Sequence, residues 1–271
     1  MKAMVDQHSA GHDAGPSIRK VKFDTTMKTL PLHEACEAHI MTVVAENSSI
    51  PVPRIRGVYN QPRHTHIFME HIDGTDLISI WPRLPLWRKL YIAWLVRGYV
   101  KQLRRIKLPL SVIPGPGPFD GTGKPFKCQG HFFTSTGAGP FLSHDDMREW
   151  FSRKHRIAKT AQKRHGLKRA QTEFVHNDAL VLVNGSINPR NIRIGTDGTV
   201  WLVDWSLAGW YPKSFEYCSI MADGQLPDTP RLWTRLAPWI ASGRWNKRQW
   251  EFLCSIKLAL LFPYDESDFL W

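Results

Sequence analysis

One polar stretch in the second half of the chain carries the side chains that could do chemistry. Residues 183–191 contain Ser186 and Asn191, and Asn191 stands five residues after Ser186. Two short apolar runs follow, joined by Asp197-Gly198, a pair that is a strong signal for a β-hairpin. Asp204 stands at the end of the second run. Amide and carboxylate oxygens of this kind suit a magnesium ion, so we expect the loop and the hairpin to act together.

The order and spacing of these residues resemble those of the phosphotransferase family that includes aminoglycoside and choline kinases. That family has a His-Gly-Asp loop, an asparagine five residues after the aspartate, a hairpin, and an Ile-Asp-Trp segment. Here the corresponding segment is Val203-Asp204-Trp205. Other segments match the fungal branch in the same order: Ser49-Ile50-Pro51-Val52-Pro53, Met69-Glu70-His71-Ile72-Asp73-Gly74, Ala208-Gly209-Trp210-Tyr211-Pro212 and Glu216-Tyr217. The similarity spans roughly residues 21–217.

The resemblance implies an α+β, protein kinase-like fold with two lobes. The small N-terminal lobe would contain a β-sheet, and the larger C-terminal lobe would be helical. We expect a flexible N-terminus over residues 1–17, a shortened small lobe over 18–73 and a helical lobe over 74–271. The catalytic loop and the metal-binding hairpin would then occupy residues 183–206.

The same resemblance implies that ATP and magnesium are the ligands, with Asn191 and Asp204 in the positions of the two metal ligands. Lys22 on a small-lobe strand would neutralise the α- and β-phosphates and pair with Glu37. Lys20 lies on the same face of that strand and is the alternative candidate for the phosphate-binding lysine. Lys22 and Glu37 could also form an ordinary surface ion pair with no role in binding. The segment that resembles the adenine-binding hinge consists of Met69, Glu70, His71 and Ile72.

The catalytic loop departs from the family pattern. Ser186 occupies the position of the aspartate that accepts the proton of the attacking hydroxyl, and Asn184 replaces the histidine. A serine hydroxyl is a poor base near neutral pH, and losing a positioned base costs about two to four orders of magnitude in rate. His176-Asn177-Asp178 could supply a relocated base, but five residues after Asp178 stands Val183 rather than asparagine. We interpret that tripeptide as a surface loop.

A second departure lies before Lys22. Family members have two strands and a glycine-rich turn ahead of the lysine strand, but only about twenty residues precede Lys22. Gly11 and Gly15 do not form a GxGxxG motif. We therefore expect the phosphate-covering lid to be shortened or absent.

Patterning of apolar residues predicts the remaining elements. One helix is predicted over residues 86–106, with inward positions Leu90, Trp94, Val100 and Leu103. Residues 109–140 are crowded with proline, glycine and phenylalanine, and predict a loop packed on the helical lobe or forming a wall of the substrate pocket. The other predicted elements are strands over 18–23, 55–59, 66–72, 191–195 and 199–203, and helices over 32–47, 145–164 and 231–271.

Composition restricts the class of protein. The 271 residues are 42% hydrophobic, and no uncharged apolar run is long enough to span a membrane. Four scattered cysteines without CxxC spacing favour reduced thiols in a cytoplasmic protein. The formal charge of +12 owes much to residues 153–169, which we interpret as a solvated helix face, with attraction of an anionic ligand as the alternative. Nucleic-acid binding is not expected because no known binding motif accompanies the charge.

Three functions agree with these observations. The first is an ATP- and magnesium-dependent phosphotransferase that acts on a hydroxyl of a small molecule. The second is a non-phosphorylating enzyme, for example of fungal secondary metabolism, that uses the same cleft. The third is a pseudokinase-type binding protein. The sequence does not distinguish the substrate or the oligomeric state.

Overall fold

The computed structural model describes residues 17–31, 36–62, 64–109, 115–164, 174, 179–241 and 247–261. Within them the chain forms a small β-sheet lobe followed by a larger, mainly helical lobe, as the α+β prediction required. The expected N-terminal lid and the tripeptide at 176–178 lie outside the described residues.

The small lobe is a four-stranded antiparallel sheet with strand order β1-β2-β4-β3. One helix, α1, connects the second and third strands and buries the side of the sheet that carries Leu30 and Ile67. The bounds are β1 Ser17–Lys22, β2 Thr25–Pro31, α1 Cys36–Asn47, β3 Ile55–Asn60 and β4 His64–Glu70.

Strand β2 is absent from the sequence-based prediction, which placed only one strand before the helix. It forms a hairpin with β1, in which Ile18 lies opposite Lys28. Because side chains alternate along a strand, Lys28 and Leu30 point to the same face, and both are buried. The strand that carries Lys28 therefore has another strand, β1, ahead of it within the described residues.

The large lobe contains two small sheets and most of the helices. The predicted hairpin is confirmed: β7 and β8 pair with Ile192 opposite Leu202, and β5 joins them as the third strand. Strands β6 and β9 form the other sheet. The strands are β5 Gly74–Asp76, β6 Leu180–Val183, β7 Ile192–Gly195, β8 Val200–Leu202 and β9 Gly209–Pro212.

The helices of the large lobe surround these sheets. None of those described is long and apolar enough to cross a bilayer. They are α2 Leu77–Ile80, a 3-10 turn Trp81–Arg83, α3 Leu86–Leu103, α4 His144–Arg164, α5 Ser214–Asp223, α6 Arg231–Ile240, α7 Lys247–Ser255 and α8 Lys257–Leu260.

Helix α3 is rotated relative to the prediction. Val100 and Leu103 are buried as expected, but Leu90 is 41% exposed and Trp94 is 57% exposed, so their predicted inward placement is wrong. The buried side instead runs through Ile92, Val96 and Tyr99. The helix has apolar residues on more than one side, and periodicity alone therefore selects no unique face.

The phenylalanine-rich loop is packed on the helical lobe, as the first of its two interpretations stated. Phe119, Phe132, Phe133 and Phe141 are all buried. Phe133 contacts the ring of Phe151 on α4, with the two ring centroids 5.9 Å apart. The loop is thus part of the core, and it also reaches the site described below.

The structure also describes the four cysteines and the first part of the basic stretch over residues 153–169. All four cysteines have free thiols, and burial raises the pKa of Cys36 and of Cys128 to about 12. On α4, Arg156, Lys159 and Lys163 are exposed as a solvated face requires, but Lys154 is buried. The predicted solvated face therefore holds for only part of the stretch. Residues 165–169 lie outside the described part of the chain.

The rotation of α3 can be tested by stability measurements. We expect Trp94→Ala to change the free energy of unfolding by less than about 0.5 kcal/mol, because that side chain is mostly in solvent. Phe151→Ala removes a fully buried ring and should lower it by about 3–5 kcal/mol. Urea denaturation measures both, and a loss above 2 kcal/mol for Trp94→Ala (about half the core value) would contradict the outward placement.

Candidate active site

A buried lysine between two carboxylates joins the lobes. The ammonium of Lys28 on β2 lies 2.8 Å from Glu37 Oε2 on α1 and 2.8 Å from Asp204 Oδ1 after the hairpin. Lys28 and Glu37 are almost completely buried. The predicted pairing of Lys22 with Glu37 is therefore wrong, since Glu37 pairs with Lys28. Lys22 is exposed on the edge strand β1.

The ion network shifts the pKa values of its members. Burial disfavours the charge on Lys28, but Glu37 and Asp204 outweigh this and raise the pKa of its ammonium. Burial likewise opposes ionisation of Asp204, but Lys28 and the hydroxyl of Ser206 outweigh it and lower the pKa of the carboxyl. Complete burial raises the pKa of Glu37. Lys28 and Asp204 therefore stay charged around neutral pH.

Backbone geometry fixes the direction of Asp204. This residue has a φ of 61°, a left-handed conformation that non-glycine residues adopt at a cost of order 1–3 kcal/mol. Two contacts maintain it: Ser206 Oγ donates to Asp204 Oδ1 at 2.8 Å, and the Trp205 N–H donates to Glu37 Oε1 at 3.0 Å. The strain is thus maintained by the same carboxylate that holds Lys28.

Helix α5 holds the loop over residues 183–191, which the sequence predicts to be the catalytic loop, through hydrogen bonds. Both oxygens of the buried Glu216 carboxylate accept backbone N–H groups, from Asn184 at 2.9 Å and from Gly185 at 3.1 Å. Burial raises the pKa of Glu216, and these two bonds partly offset it. Gly185 has a φ of 76°, and a Cβ there would meet Leu207 O at 2.8 Å, so this turn requires glycine. In the sequence, Glu216 stands out only as part of the Glu216-Tyr217 pair, which predicts no role for its carboxylate.

Within the loop, Ser186 and Asn191 contact each other. The Asn191 side-chain nitrogen donates to Ser186 Oγ at 2.6 Å and to Ser186 O at 3.1 Å. This leaves the Asn191 side-chain oxygen for a cation. Val203 N donates to Asn191 O at 3.0 Å, which places the loop beside the segment that leads to Asp204.

These groups fit a magnesium ion that also binds phosphate. Asn191 and Asp204 present the oxygen ligands that magnesium prefers. Among the described residues no group of three or more His, Cys, Asp or Glu side chains could hold a metal. A cation bound by Asn191 and Asp204 would therefore take its other ligands from water and from substrate phosphates, which is the usual situation for magnesium.

The segment predicted as the adenine hinge forms hydrogen bonds with neighbouring parts of the small lobe. Glu70 exchanges bonds with the backbone of Arg54. The His71 N–H donates to Asp24 O at 2.9 Å, and His71 Nδ1 lies 2.8 Å from Thr26 Oγ1. Met69 and Ile72 are buried. The N–H of His71 is thus engaged with the β1–β2 turn.

A further polar cluster lies beside the catalytic loop, and the sequence analysis did not find it. Asp223, at the end of α5, contacts the Asn188 side chain at 3.0 Å and His131 Nε2 at 3.2 Å. His131 belongs to the phenylalanine-rich loop. It lines a small cavity with Gly185, Leu207 and four other aromatic side chains, Phe132, Phe133, Tyr211 and Phe215. No local pattern could have indicated this contact, because its members are far apart in sequence.

The two lobes, the lysine–glutamate pair and the loop–hairpin unit are arranged as in the protein kinase-like fold. Comparison with known proteins gives matches of fold but not of sequence. No family profile matches the sequence, and no curated protein matches it.

Solved structures of aminoglycoside phosphotransferases do match. One is ADP-bound APH(2'')-Ib, with a TM-score of 0.61, 10% identity, and coverage of 96% of this chain and 88% of the other. A thermostable mutant of APH(4)-Ia matches with a TM-score of 0.59 and 14% identity, and the match covers 96% of this chain and 87% of the other. The streptomycin–ATP ternary complex of APH(2'')-IIa matches with a TM-score of 0.56 and 11% identity, and the match covers 94% of this chain and 88% of the other. The chain thus has the aminoglycoside phosphotransferase fold.

The support of the catalytic loop by Glu216 can be tested. Glu216→Ala leaves two buried N–H groups without an acceptor and should lower the free energy of unfolding by about 2–5 kcal/mol. Glu251→Ala is a matched control because Glu251 is half exposed beside Lys247, and its effect should stay within about 0.5 kcal/mol. Equal midpoints of urea denaturation for the two variants would refute the role given to Glu216.

Proposed function

We propose that this chain is a phosphotransferase that binds ATP with magnesium between its lobes and transfers the γ-phosphoryl group to a hydroxyl of a small molecule. The observation that carries the proposal is the Lys28 ammonium held between Glu37 and Asp204. Phosphoryl transfer depends mainly on positioning and on stabilising negative charge. A buried cation next to a pair of cation ligands is suited to both tasks.

Each group has a role in this proposal. Lys28 takes the role first given to Lys22: it would neutralise the α- and β-phosphates, and Glu37 holds it in place. Asn191 and Asp204 would hold magnesium, which when bound screens the phosphate charges. Residues 69–72 would hold adenine, but the engaged N–H of His71 means that adenine must use other backbone groups there or displace Asp24 O.

Solved structures support the ligand classes. Two of the matching aminoglycoside phosphotransferases contain a nucleotide, ADP in one and ATP with streptomycin in the other. The fold therefore accommodates a nucleotide together with a polyhydroxylated small molecule. We propose the same two classes of ligand for this chain, without assigning the acceptor.

A second candidate function is nucleotide binding without transfer. Its support is Ser186, which provides no carboxylate at the position of the base and whose hydroxyl accepts the hydrogen bond from Asn191. The two candidates share the nucleotide site and differ only in turnover, so nucleotide binding is the first property to measure.

Calorimetric titration with ATP and magnesium tests the nucleotide site. Lys28→Ala should weaken ATP binding by about 10- to 100-fold, because a hydrogen bond to a charged group contributes about 1.5–3 kcal/mol. Asp204→Asn should remove the magnesium dependence of binding. Lys22→Ala is the matched control, and its affinity should equal that of the native protein.

Two results would contradict the assignment. If Lys22→Ala weakens binding and Lys28→Ala does not, the correction of the lysine is wrong. If the native protein gives no heat at millimolar ATP, it has no working nucleotide site. Circular dichroism of each variant separates lost binding from lost folding, since removal of Lys28 leaves Glu37 buried without its partner.

A further inference from the structure

A buried carboxylate connects the catalytic loop to a histidine. Asp223 is 4% exposed, and its two oxygens have different partners. Oδ2 accepts from the Asn188 side chain at 3.0 Å, and Oδ1 lies 3.2 Å from His131 Nε2. The Asn188 amide also contacts Ser186, at 3.2 Å from its carbonyl oxygen and 3.5 Å from Oγ. An unbroken set of contacts thus runs from Ser186 to His131.

His131, from the phenylalanine-rich loop, lies beside the loop that contains Ser186 and is accessible to solvent. Its side chain is 34% exposed, and it lines the small cavity that Gly185 also lines. The neighbouring Gly130 packs against the Leu207 side chain, and Gly185 packs against the Leu207 backbone. Two independent contacts therefore place residues 130–131 next to the turn that precedes Ser186.

The carboxylate determines which ring nitrogen of His131 can accept a proton. A carboxylate next to one nitrogen of a neutral imidazole favours the tautomer with the proton on that nitrogen. Asp223 therefore holds the proton on Nε2 and leaves the Nδ1 lone pair free. A histidine oriented by a buried carboxylate is a common arrangement for a general base.

We propose that His131 is the catalytic base of this site, with Asp223 as its positioning residue, in place of the carboxylate that Ser186 lacks. The inference rests on the proposed phosphotransferase function. In the reaction, the acceptor hydroxyl oxygen forms a bond to the γ-phosphorus while the bond to the β–γ bridging oxygen breaks. ADP leaves with that electron pair, and the hydroxyl proton passes to Nδ1 of His131.

The proposal is tested by measuring the rate at which the protein forms ADP from ATP in the presence of magnesium. Water is one acceptor of the phosphoryl group, and added streptomycin is a probe alcohol. His131→Ala should lower kcat by about 10²- to 10⁴-fold and leave ATP affinity unchanged by calorimetry. Imidazole added to the solution should restore part of the lost turnover, because it can enter the space left by the ring. His64→Ala, with and without imidazole, is the matched control and should keep native turnover.

Two further variants separate catalysis from structure. Asp223→Asn keeps the shape, but its amide can donate to Nε2 and move the ring proton to Nδ1, so kcat should fall without rescue by imidazole. Ser186→Asp in the His131→Ala background restores a carboxylate base and should recover turnover.

The outcomes are distinct. Native turnover in His131→Ala overturns the proposal, as does a loss that neither imidazole nor Ser186→Asp repairs. A native protein that binds ATP but releases no ADP has no working base, which overturns this inference and leaves the nucleotide site standing. Absence of ATP binding rejects the proposed function itself, and the calorimetric titration detects that case separately.

Discussion

The candidate site depends on the buried ion pairs of Lys28 with Glu37 and Asp204, which link the two lobes. The Lys28 ammonium is buried, so its charge has lost most of its contact with water, and such a charge is tolerated only with close partners. Glu37 and Asp204 supply them from opposite sides of the cleft. Glu37 also accepts the Trp205 N–H, so one carboxylate fixes both the lysine strand and the segment after the hairpin. The charged Asp204 carboxylate is the group of this network that suits a cation.

Helix α5 gives the catalytic loop its shape in the same way. Glu216 and Asp223 are about two helical turns apart and so project from the same side. Glu216 holds the loop main chain at Asn184 and Gly185, and Asp223 holds the Asn188 side chain further along. The loop is therefore anchored at two points on one rigid element, which helps to position Ser186 and Asn191.

Sequence reasoning succeeded where the determinants are local. Asp197-Gly198 predicted the hairpin because a tight turn is decided by its own residues. The sequence pattern indicates only one strand before the helix, and the predicted lysine is therefore Lys22, with Lys20 as the alternative. Strand β2, Thr25–Pro31, has no regular alternation of polar and apolar residues, so its lysine is not indicated. Trp94 was placed inward because α3 carries apolar residues on several sides. The contact between His131 and Asp223 depends on the packing of a long loop, which no short-range pattern encodes.

The presence of Ser186, rather than a carboxylate, in the loop does not by itself decide between the proposed phosphotransferase and a protein that only binds a nucleotide. Phosphoryl transfer passes through a loose transition state in which positioning and charge stabilisation supply most of the acceleration, and the base contributes a smaller part. In the proposed function, Lys28, Asn191 and Asp204 would supply the first contribution, and hydrogen bonds hold all three. The base has only to reach the acceptor hydroxyl, so its position is the least constrained in the site. A helix that already anchors the loop through Asp223 is the element best placed to orient a substitute.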